Sequence, residues 1–260
     1  MLRDGARAES ARTPQVAAAP RVAARVSALG RLEPHDGVIR VAGPSDAVAV
    51  VAELKVAQGD PVEAGQVIAI LDDMQIRAAE LERARAQFAN AEREYERQLE
   101  LHEENVIADA QRDGWALKLR VAQAELRNFE AAYEQSRVRS PITGQVLEVH
   151  TRDGERVGPD GIVELGKTRE MYAIAEVYET DIGRVTLGQR ARVTSPALRE
   201  PLFGTVDRIG LKVGKADELG TDPAAKADAR VIEVEVRLDD SEPAASLTHL
   251  QVAVELGIER

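Results

Sequence analysis

Apolar and polar residues alternate along residues 26–71, in short runs rich in β-branched side chains such as VIRVAG and VAVVAELKV. Alternation with a period of two places successive side chains on opposite faces of a strand. Turn-forming residues separate these runs; they are Gly30, Gly37, Gly43, Pro44, Gly59, Pro61 and Gly65. The pattern predicts several short β-strands in this part of the chain.

The pattern changes within residues 67–81, VIAILDDMQIRAAEL, where an alternating strand gives way to a helical sequence at DDMQI. Residues 74–104 contain neither glycine nor proline and are rich in Ala, Glu and Arg. Their larger apolar residues recur every seven positions with alanines between them: Met74, Leu81, Phe88 and Tyr95, with Ala78, Ala84 and Ala91. A repeat of this kind predicts a helix that packs in a coiled coil.

Residues 115–136 predict a second coiled-coil helix. Their seam residues step by four and three positions in turn: Trp115, Leu119, Ala122, Leu126, Phe129, Tyr133 and Ser136. The short connection ENVIADAQRD, residues 104–113, should join the two helices into an antiparallel hairpin. At about 30 residues per helix and 1.5 Å per residue, the hairpin would be roughly 45 Å long.

The alternating pattern returns after Arg139 in SPITGQVLEVHTRDGERVG. It continues through MYAIAEVYETDIGRVTLGQRARVTSPA, FGTVDRIGLKVG and VIEVEVRLDD, with a polar loop, KADELGTDPAAKADAR, between the last two. The predicted hairpin is therefore an insertion between two β halves.

Composition excludes several classes of protein. The formal net charge is −11 and no dense run of Lys and Arg occurs, which argues against a nucleic-acid partner. The absence of cysteine excludes disulfides, thiolate metal sites and cysteine nucleophiles. The sequence contains no run of about 18 apolar residues, so it predicts no membrane-spanning helix. Residues 1–25 are polar with Ala, Pro and Arg, and we predict that they form a disordered linker.

The β halves on either side of the hairpin share a spacing of glycine and valine. The first contains Val56-x-x-Gly-Asp-x-Val62-x-x-Gly-Gln, and the second has Gly144 followed by Val149, Gly154 and Val157. We expect each glycine to occupy a tight turn with positive φ and each valine to fill the space between two short sheets. This spacing resembles that of the biotinyl/lipoyl domain; another small β-sandwich is the alternative.

Carrier domains of the biotinyl/lipoyl type bear a modified lysine in the turn between their halves. The corresponding stretch here, DDMQI, has Gln75 at that position, and a glutamine amide cannot be joined to biotin or lipoate. The turn is also replaced by the predicted hairpin. A split lipoyl domain with an inserted coiled-coil hairpin resembles the periplasmic adaptor proteins, or membrane fusion proteins, of the HlyD type.

Other segments extend this resemblance to about residues 26–256. AEVYETDIGRVTLGQRARVTSPA is similar to the β-barrel domain of these adaptors. The opening ALGRLEPHDGVIRVAGP and the closing strands resemble most the adaptors of ABC exporters, including the DevB-like type of the cyanobacterial heterocyst glycolipid exporter. The implied fold is mainly β with an inserted α-helical coiled-coil hairpin.

The resemblance divides the chain into a linker and four further regions. A membrane-proximal or barrel-closing β region comes from both ends, the lipoyl-like domain is split, and the hairpin and β-barrel domain complete the chain. The linker is 1–25, and the membrane-proximal or barrel-closing β region comprises 26–44 and 213–260. The split lipoyl-like domain comprises 45–72 and 138–168. The hairpin is 73–137 and the β-barrel domain is 169–212.

The resemblance implies a structural role and not an enzyme. The chain would be the adaptor of a tripartite ABC-type export system, joining an inner-membrane ABC transporter permease to a TolC-like outer-membrane tunnel. It would form a homo-oligomer, expected to be a hexamer, in the periplasm, anchored to the inner membrane by an N-terminal segment absent from this chain. An adaptor of a proton-driven RND pump is the nearest alternative. A degenerate biotin or lipoyl carrier and a non-transport coiled-coil scaffold are alternatives from other classes.

The family contacts the outer-membrane tunnel through the hairpin tip. Arg97 and Leu101 match the family's tip pattern, whereas Ala108 stands where that pattern has serine. Asp109 could cap the second helix. The predicted docking residues are Arg97, Leu101, Asn105, Val106, Ile107, Ala108 and Asp109; the alternative is that Val106 and Ile107 only close the coiled coil.

A second expectation from the resemblance concerns the segment TRDGER. In some ABC-type adaptors a loop of the lipoyl domain narrows the central channel as a gate, and the resemblance maps it to Arg152, Asp153 and Glu155. The alternative is a solvated turn.

No catalytic, cofactor or metal site is expected. His35, His102, His150 and His249 are scattered without the spacing of metal ligands. The acidic loop at 215–230 lacks the twelve-residue calcium pattern.

Overall fold

The computed structural model describes residues 25–43, 49–104, 106–215 and 230–258. The predicted linker, apart from Arg25, and most of the 215–230 loop lie outside the described residues. The architecture is mainly β with two helices, as the sequence predicts. The strands are β1 (Val26–Val41), β2 (Val51–Leu54), β3 (Pro61–Val62), β4 (Val67–Leu71), β5 (Arg137–Arg139), β6 (Gly144–Val149), β7 (Val163–Tyr178), β8 (Arg190–Thr194), β9 (Leu202–Lys215), β10 (Arg230–Leu238) and β11 (Gln251–Leu256); the long helices are α1 (Met74–Glu103) and α2 (Asp109–Gln135).

Six strands form a closed antiparallel barrel, here called the barrel unit. Their order is β1-β11-β8-β9-β10-β7, and β7 pairs again with β1 to complete the ring. Closure leaves no free sheet edge around this ring. The core inside is built from small and β-branched residues such as Val193, Val234 and Val254. Strands from the predicted ranges 26–44, 169–212 and 213–260 all contribute to this single core.

A second core lies between two small sheets, here called the sandwich unit. One sheet has the order β2-β4-β5, and the other is formed by β3, β6 and the adjoining parts of β7 and β1. Val51, Ile68, Val146 and Leu165 fill the space between the sheets and are almost fully buried. Of the four valines whose spacing predicted this packing, Val56 and Val62 are buried, and Val149 and Val157 are partly buried against the same core.

The strands β1 and β7 run through both units. Each has 16 residues. Residues 29–34 of β1 pair with β7 in the barrel unit, and residues 35–41 pair with β7 in the sandwich unit, with register shifts at His35. The two units are therefore joined by a continuous pair of strands and not by a loose linker.

The two halves of the sandwich unit exchange equivalent hydrogen bonds. In each half, a strand valine uses its N–H and its C=O to bind a turn of the other half. The bonds run from Val51 N to Glu155 O (2.9 Å), Gly154 N to Val51 O (2.7 Å), Val146 N to Asp60 O (2.9 Å) and Gly59 N to Val146 O (2.8 Å). Each residue of the first set corresponds to one 95 positions later in the second (51 to 146, 59 to 154, 60 to 155). The internal repeat seen in the sequence is therefore a pseudo-twofold relation in space.

The repeated glycines have two different roles. Gly59, Gly65 and Gly154 have φ values of 91°, 84° and 80°, as expected for turns that favour glycine. For Gly144 the expectation of positive φ is wrong. A Cβ there would lie 2.5 Å from the carbonyl oxygen of Gly166, so this glycine is needed for close approach of β6 and β7.

The hairpin leaves the sandwich unit between β4 and β5. Leu81, Ala84 and Ala122 are its buried seam residues, and the predicted aromatic positions are half-buried. The connection is shorter than predicted, because α2 begins at Asp109 and not near Trp115. Residues 109–114 contain no apolar residue larger than Ala110, so this turn resembles a loop in the sequence, although Gly114 and its neighbours continue the helix.

Candidate functional site: the hairpin tip and a sandwich loop

The base of the hairpin is fixed by polar contacts next to Gln75. The Ser136 hydroxyl donates a 2.7 Å hydrogen bond to Asp73 Oδ1, and Leu71 N donates to Ser136 O at 2.9 Å. Arg77 Nε donates a 3.1 Å hydrogen bond to the other oxygen of Asp73, and this bond, with the charges of Asp73 and Glu80, raises the pKa of Arg77. Gln75 itself is the second residue of α1 and is exposed. The position that carries lysine in carrier domains is thus part of a helical turn here.

The predicted docking residues lie at the far end of the hairpin. Val106 is 64% exposed, whereas Leu101 and Ile107 are half-buried. Val106 N donates a 2.8 Å hydrogen bond to Leu101 O, which folds the connection back over the end of α1. Ala108 is exposed, and Asn105 lies outside the described residues. Among the described residues of the tip, Val106 is therefore the large apolar side chain that projects into solvent.

Arg97 is set back from the tip by more than one helical turn. Its guanidinium forms an ion pair with Glu94 on the same helix, and the side chain is 64% exposed. The structure does not bring Arg97 together with Val106 or Asp109. If Arg97 contacts a partner, it does so along the side of the hairpin.

Asp109 is the first residue of α2, so the expectation that it caps this helix is wrong. The N-cap is Ala108, in an extended conformation and without a side-chain cap. Asp109 instead accepts a 2.7 Å hydrogen bond from His102 Nε2 across the connection. That bond and the nearby Arg112 guanidinium lower the pKa of Asp109. A negative charge in the first turn of α2 is also favourable because of the helix dipole.

Sequence reasoning missed the pairing of His102 with Asp109. The two are seven positions apart, and the contact depends on the reversal of the chain between them. A histidine at the end of one helix and an acidic residue at the start of the next is the available signal.

The proposed gate residues belong to a turn with an exact counterpart in the other half of the repeat. Arg152 N donates to Glu155 Oε2 at 2.8 Å, and Ala57 N donates to Asp60 Oδ2 at 2.8 Å. Positions 57 and 60 become 152 and 155 on adding the same 95. Glu155 therefore has the turn-stabilising role that Asp60 has in the first half.

Asp153 is also engaged within the protein. Its Oδ1 accepts a 2.6 Å hydrogen bond from Leu54 N, which holds the turn against β2. No contact of the Arg152 guanidinium is found within the described part of the chain, and the side chain is exposed. Of the three predicted gate residues, Arg152 is thus the one whose charged group is left to face solvent.

Three side chains on the surface of the sandwich unit could hold a metal ion. Glu148, His150 and Glu164 place one ligand atom each within 4.8 Å of one another. Sequence reasoning missed this cluster, because Glu164 joins it only through the pairing of β6 with β7. The spacing Glu148-x-His150, which puts both side chains on one face of a strand, is the local signal.

No helix of the described residues is long and apolar enough to cross a membrane.

The sandwich unit and the inserted hairpin are similar to a known family of domains. Residues 41–164 match the family model described as CzcB-like, barrel-sandwich hybrid domain. The cation efflux system protein CzcB of Alcaligenes sp. (strain CT14) is 25% identical over 172 residues, which cover 60% of this chain and 33% of CzcB.

Two solved structures share the whole described fold. A MacA-MexA chimeric protein, containing the Pseudomonas aeruginosa MexA α-hairpin domain, matches with a TM-score of 0.75 at 17% identity over 90% of this chain and 79% of that one. The membrane fusion protein Spr0693 of Streptococcus pneumoniae R6 matches with a TM-score of 0.65 at 19% identity, over 90% of this chain and 100% of that one. The chain spans about half the length, or less, of the first curated relatives it matches.

Proposed function

We propose, from the premise that this chain belongs to the membrane fusion protein family, that it is the periplasmic adaptor of an export system. The observation that carries this proposal is the hairpin inserted into a split sandwich unit, with Val106 exposed at its tip. An exposed apolar side chain at the end of a long projection suits contact with another protein. Proteins of this family are adaptors and not enzymes.

The proposed adaptor role depends on firm connections between the barrel unit, the sandwich unit and the hairpin. The continuous pairing of β1 with β7 couples the barrel unit to the sandwich unit, and the Asp73–Ser136 contact couples the sandwich unit to the hairpin. A displacement at the barrel unit would therefore be carried to the tip through packed strands and helices. The energy for transport would come from the partner transporter.

In finer detail, the barrel end would contact an inner-membrane ABC permease and the tip a TolC-like outer-membrane channel. Copies of the chain, expected to number six, would surround a conduit, with Arg152 facing its lumen. The choice of an ABC permease is supported by the resemblance of the opening and closing β segments to ABC-exporter adaptors. The chain would be held at the inner membrane from the periplasmic side. A proton-driven RND pump is the alternative transporter.

A degenerate biotin or lipoyl carrier is the rival from another class. Gln75 is exposed on α1 and has no amine for acylation. An intact mass with an acyl adduct would support that rival and count against the adaptor.

In-cell photo-crosslinking tests the proposed function. A photoreactive residue at Val106 in the natural full-length protein should capture an outer-membrane channel, identified by mass spectrometry. A probe at Leu117, which is 55% exposed on the side of α2, is the matched control and should not capture that channel. Absence of the channel from the Val106 sample, with the protein exported and folded, would contradict the assigned role of the tip.

A further inference from the structure

Glu148, His150 and Glu164 share one face of the sandwich unit. Glu148 and Glu164 are directly opposite each other on β6 and β7, and His150 follows Glu148 by two positions. The backbone N–H of His150 donates a 2.9 Å hydrogen bond to Ile162 O, which extends the strand pairing to this residue. The backbone therefore fixes the relative positions of all three side chains.

The imidazole of His150 has a buried nitrogen without a hydrogen-bond partner. Nε2 is inaccessible to solvent and makes no hydrogen bond within the described residues. Buried polar atoms in native proteins are nearly always hydrogen-bonded, so this nitrogen needs an explanation. Its nearest carboxylate oxygen, Glu164 Oε1, is 3.5 Å away. Two ligands about 2.0–2.1 Å from a tetrahedral zinc ion would be roughly 3.4 Å apart.

The charges of the cluster are only partly balanced. Like charges directly opposite across two strands repel each other. Arg40, the partner of Glu164 on β1, binds Glu164 Oε1 through Nε at 2.8 Å. No ion pair of Glu148 occurs within the described part of the chain. Arg40 therefore balances the charge of Glu164 alone, and a further positive charge beside Glu148 would be stabilised.

From this geometry we propose that Glu148, His150 and Glu164 bind a divalent transition-metal ion of the zinc class. One imidazole nitrogen and two carboxylate oxygens form a ligand set suited to Zn²⁺, whereas Ca²⁺ and Mg²⁺ prefer oxygen ligands alone. The soft ligands that favour Cu⁺ are absent from this set.

The surroundings leave room for a fourth ligand. A cavity of about 330 Å³ adjoins Glu148 and Glu164 and is also lined by Thr248 and His249. Thr248 Oγ1 is a second buried atom without a hydrogen-bond partner in the described residues. A water molecule on the metal could occupy this space. The bound ion would tie β6 to β7 beside the segment 245–249 of the barrel unit.

The metal site does not depend on the export function. Metal binding at these residues can be present or absent whether or not the hairpin tip binds a channel.

Titration of the full 260-residue chain, purified without a histidine tag, tests the site. When Zn²⁺ is added to the metal-free protein in a calorimeter, one ion should bind at the site formed by the cluster. Co²⁺ bound at the same site should give the visible absorption of a protein-bound ion. His150→Ala and Glu148→Gln should each weaken that site by about 100-fold or more, beyond the usual 10–100-fold cost of losing an outer-shell partner. His102→Ala, which removes a histidine next to a carboxylate at the hairpin tip, is the matched control and should leave the affinity unchanged.

Replacing Arg40 should change the Zn²⁺ affinity in the opposite direction. Arg40→Gln removes the competing cation and frees Glu164 Oε1, so Zn²⁺ should bind several-fold more tightly. Glu148 is exposed, so Glu148→Gln is expected to fold normally, which circular dichroism checks. Zn²⁺ affinity unchanged in both His150→Ala and Glu148→Gln, or the absence of a one-to-one site in the unmodified chain, would overturn the proposal.

Discussion

Individual contacts at the hairpin tip set its charge and its shape. The His102–Asp109 hydrogen bond of 2.7 Å closes the end of the coiled coil, and Arg112 lies 3.5 Å from the same carboxylate. Both groups favour the ionised form of Asp109. A tip of defined shape is what a docking contact with Val106 at its centre requires.

Replacing His102 should raise the pKa of Asp109. In His102→Ala the hydrogen bond to Oδ1 is lost, while the weaker attraction of Arg112 remains. A carboxyl whose folded-state pKa is lowered contributes stability above the pKa of the unfolded chain, about 3.9 for Asp, and that contribution disappears as the pH falls through the folded-state pKa. Carbon-13 NMR titration of the Asp109 carboxyl measures the change; an unchanged pKa would show that His102 does not hold this group in solution.

At Gly30 the backbones of β1 and β7 approach each other closely. A Cβ at Gly30 would lie 2.1 Å from the carbonyl oxygen of Ile174 on β7. Gly30→Ala should therefore destabilise the protein by about 3 kcal/mol or more, because two backbones must separate. Gly183→Ala is the control, since nothing lies within 4 Å of its Cβ and it should change stability by less than about 1 kcal/mol. Denaturant unfolding compares the two, and equal effects would contradict the close approach.

At the scale of whole elements, the hairpin depends on a narrow seam. Leu81, Ala84 and Ala122 are the buried residues along the described parts of α1 and α2, and the aromatic residues of the seam are half-buried beside them. Helices of this length keep their structure through such tertiary contacts more than through propensity. The free energy of the hairpin should thus respond strongly to seam residues and weakly to their exposed neighbours.

Leu81→Ala should destabilise the hairpin by about 2–3 kcal/mol, through lost burial and a residual cavity. Leu117→Ala removes the same atoms from a side chain that is 55% exposed, and should cost less than about 0.5 kcal/mol. Hydrogen exchange of the helical amides reports the local stability. If both substitutions have the same effect, the two helices do not pack through the predicted seam.

The sequence predicts local elements better than long-range pairings. The heptads of α1 and α2 are local, so the hairpin was predictable, although the start of α2 at Asp109 was hidden by a polar first turn. The short strands predicted around Gly30 and Gly37 are one strand of 16 residues, because β1 pairs with β7 through Gly30 and again from Val38 onward, on either side of an irregularity at Asp36 and Gly37. For the same reason Glu164 could not be placed beside His150, since the register of β6 and β7 is set by packing between distant segments.

For the molecule as a whole, the fold combines three coupled parts. The barrel unit and the sandwich unit share β1 and β7, and the hairpin is held to the sandwich unit by Asp73 and Ser136. The repeat that places Asp60 and Glu155 in equivalent turns relates the two halves of the sandwich unit, and the hairpin is inserted between these halves. This arrangement supports the proposal that partners bind at the two ends of a stiff connector.

The most direct test of that proposal is native mass spectrometry of the natural full-length protein, isolated from its own cells after mild crosslinking. We predict one assembly that contains several copies of this chain, expected to be six, with an inner-membrane transporter and an outer-membrane channel. Deletion of residues 74–135, with the ends rejoined by a short turn, should remove the channel and leave the transporter. Recovery of the chain with neither membrane partner, or retention of the channel without the hairpin, would contradict the adaptor function.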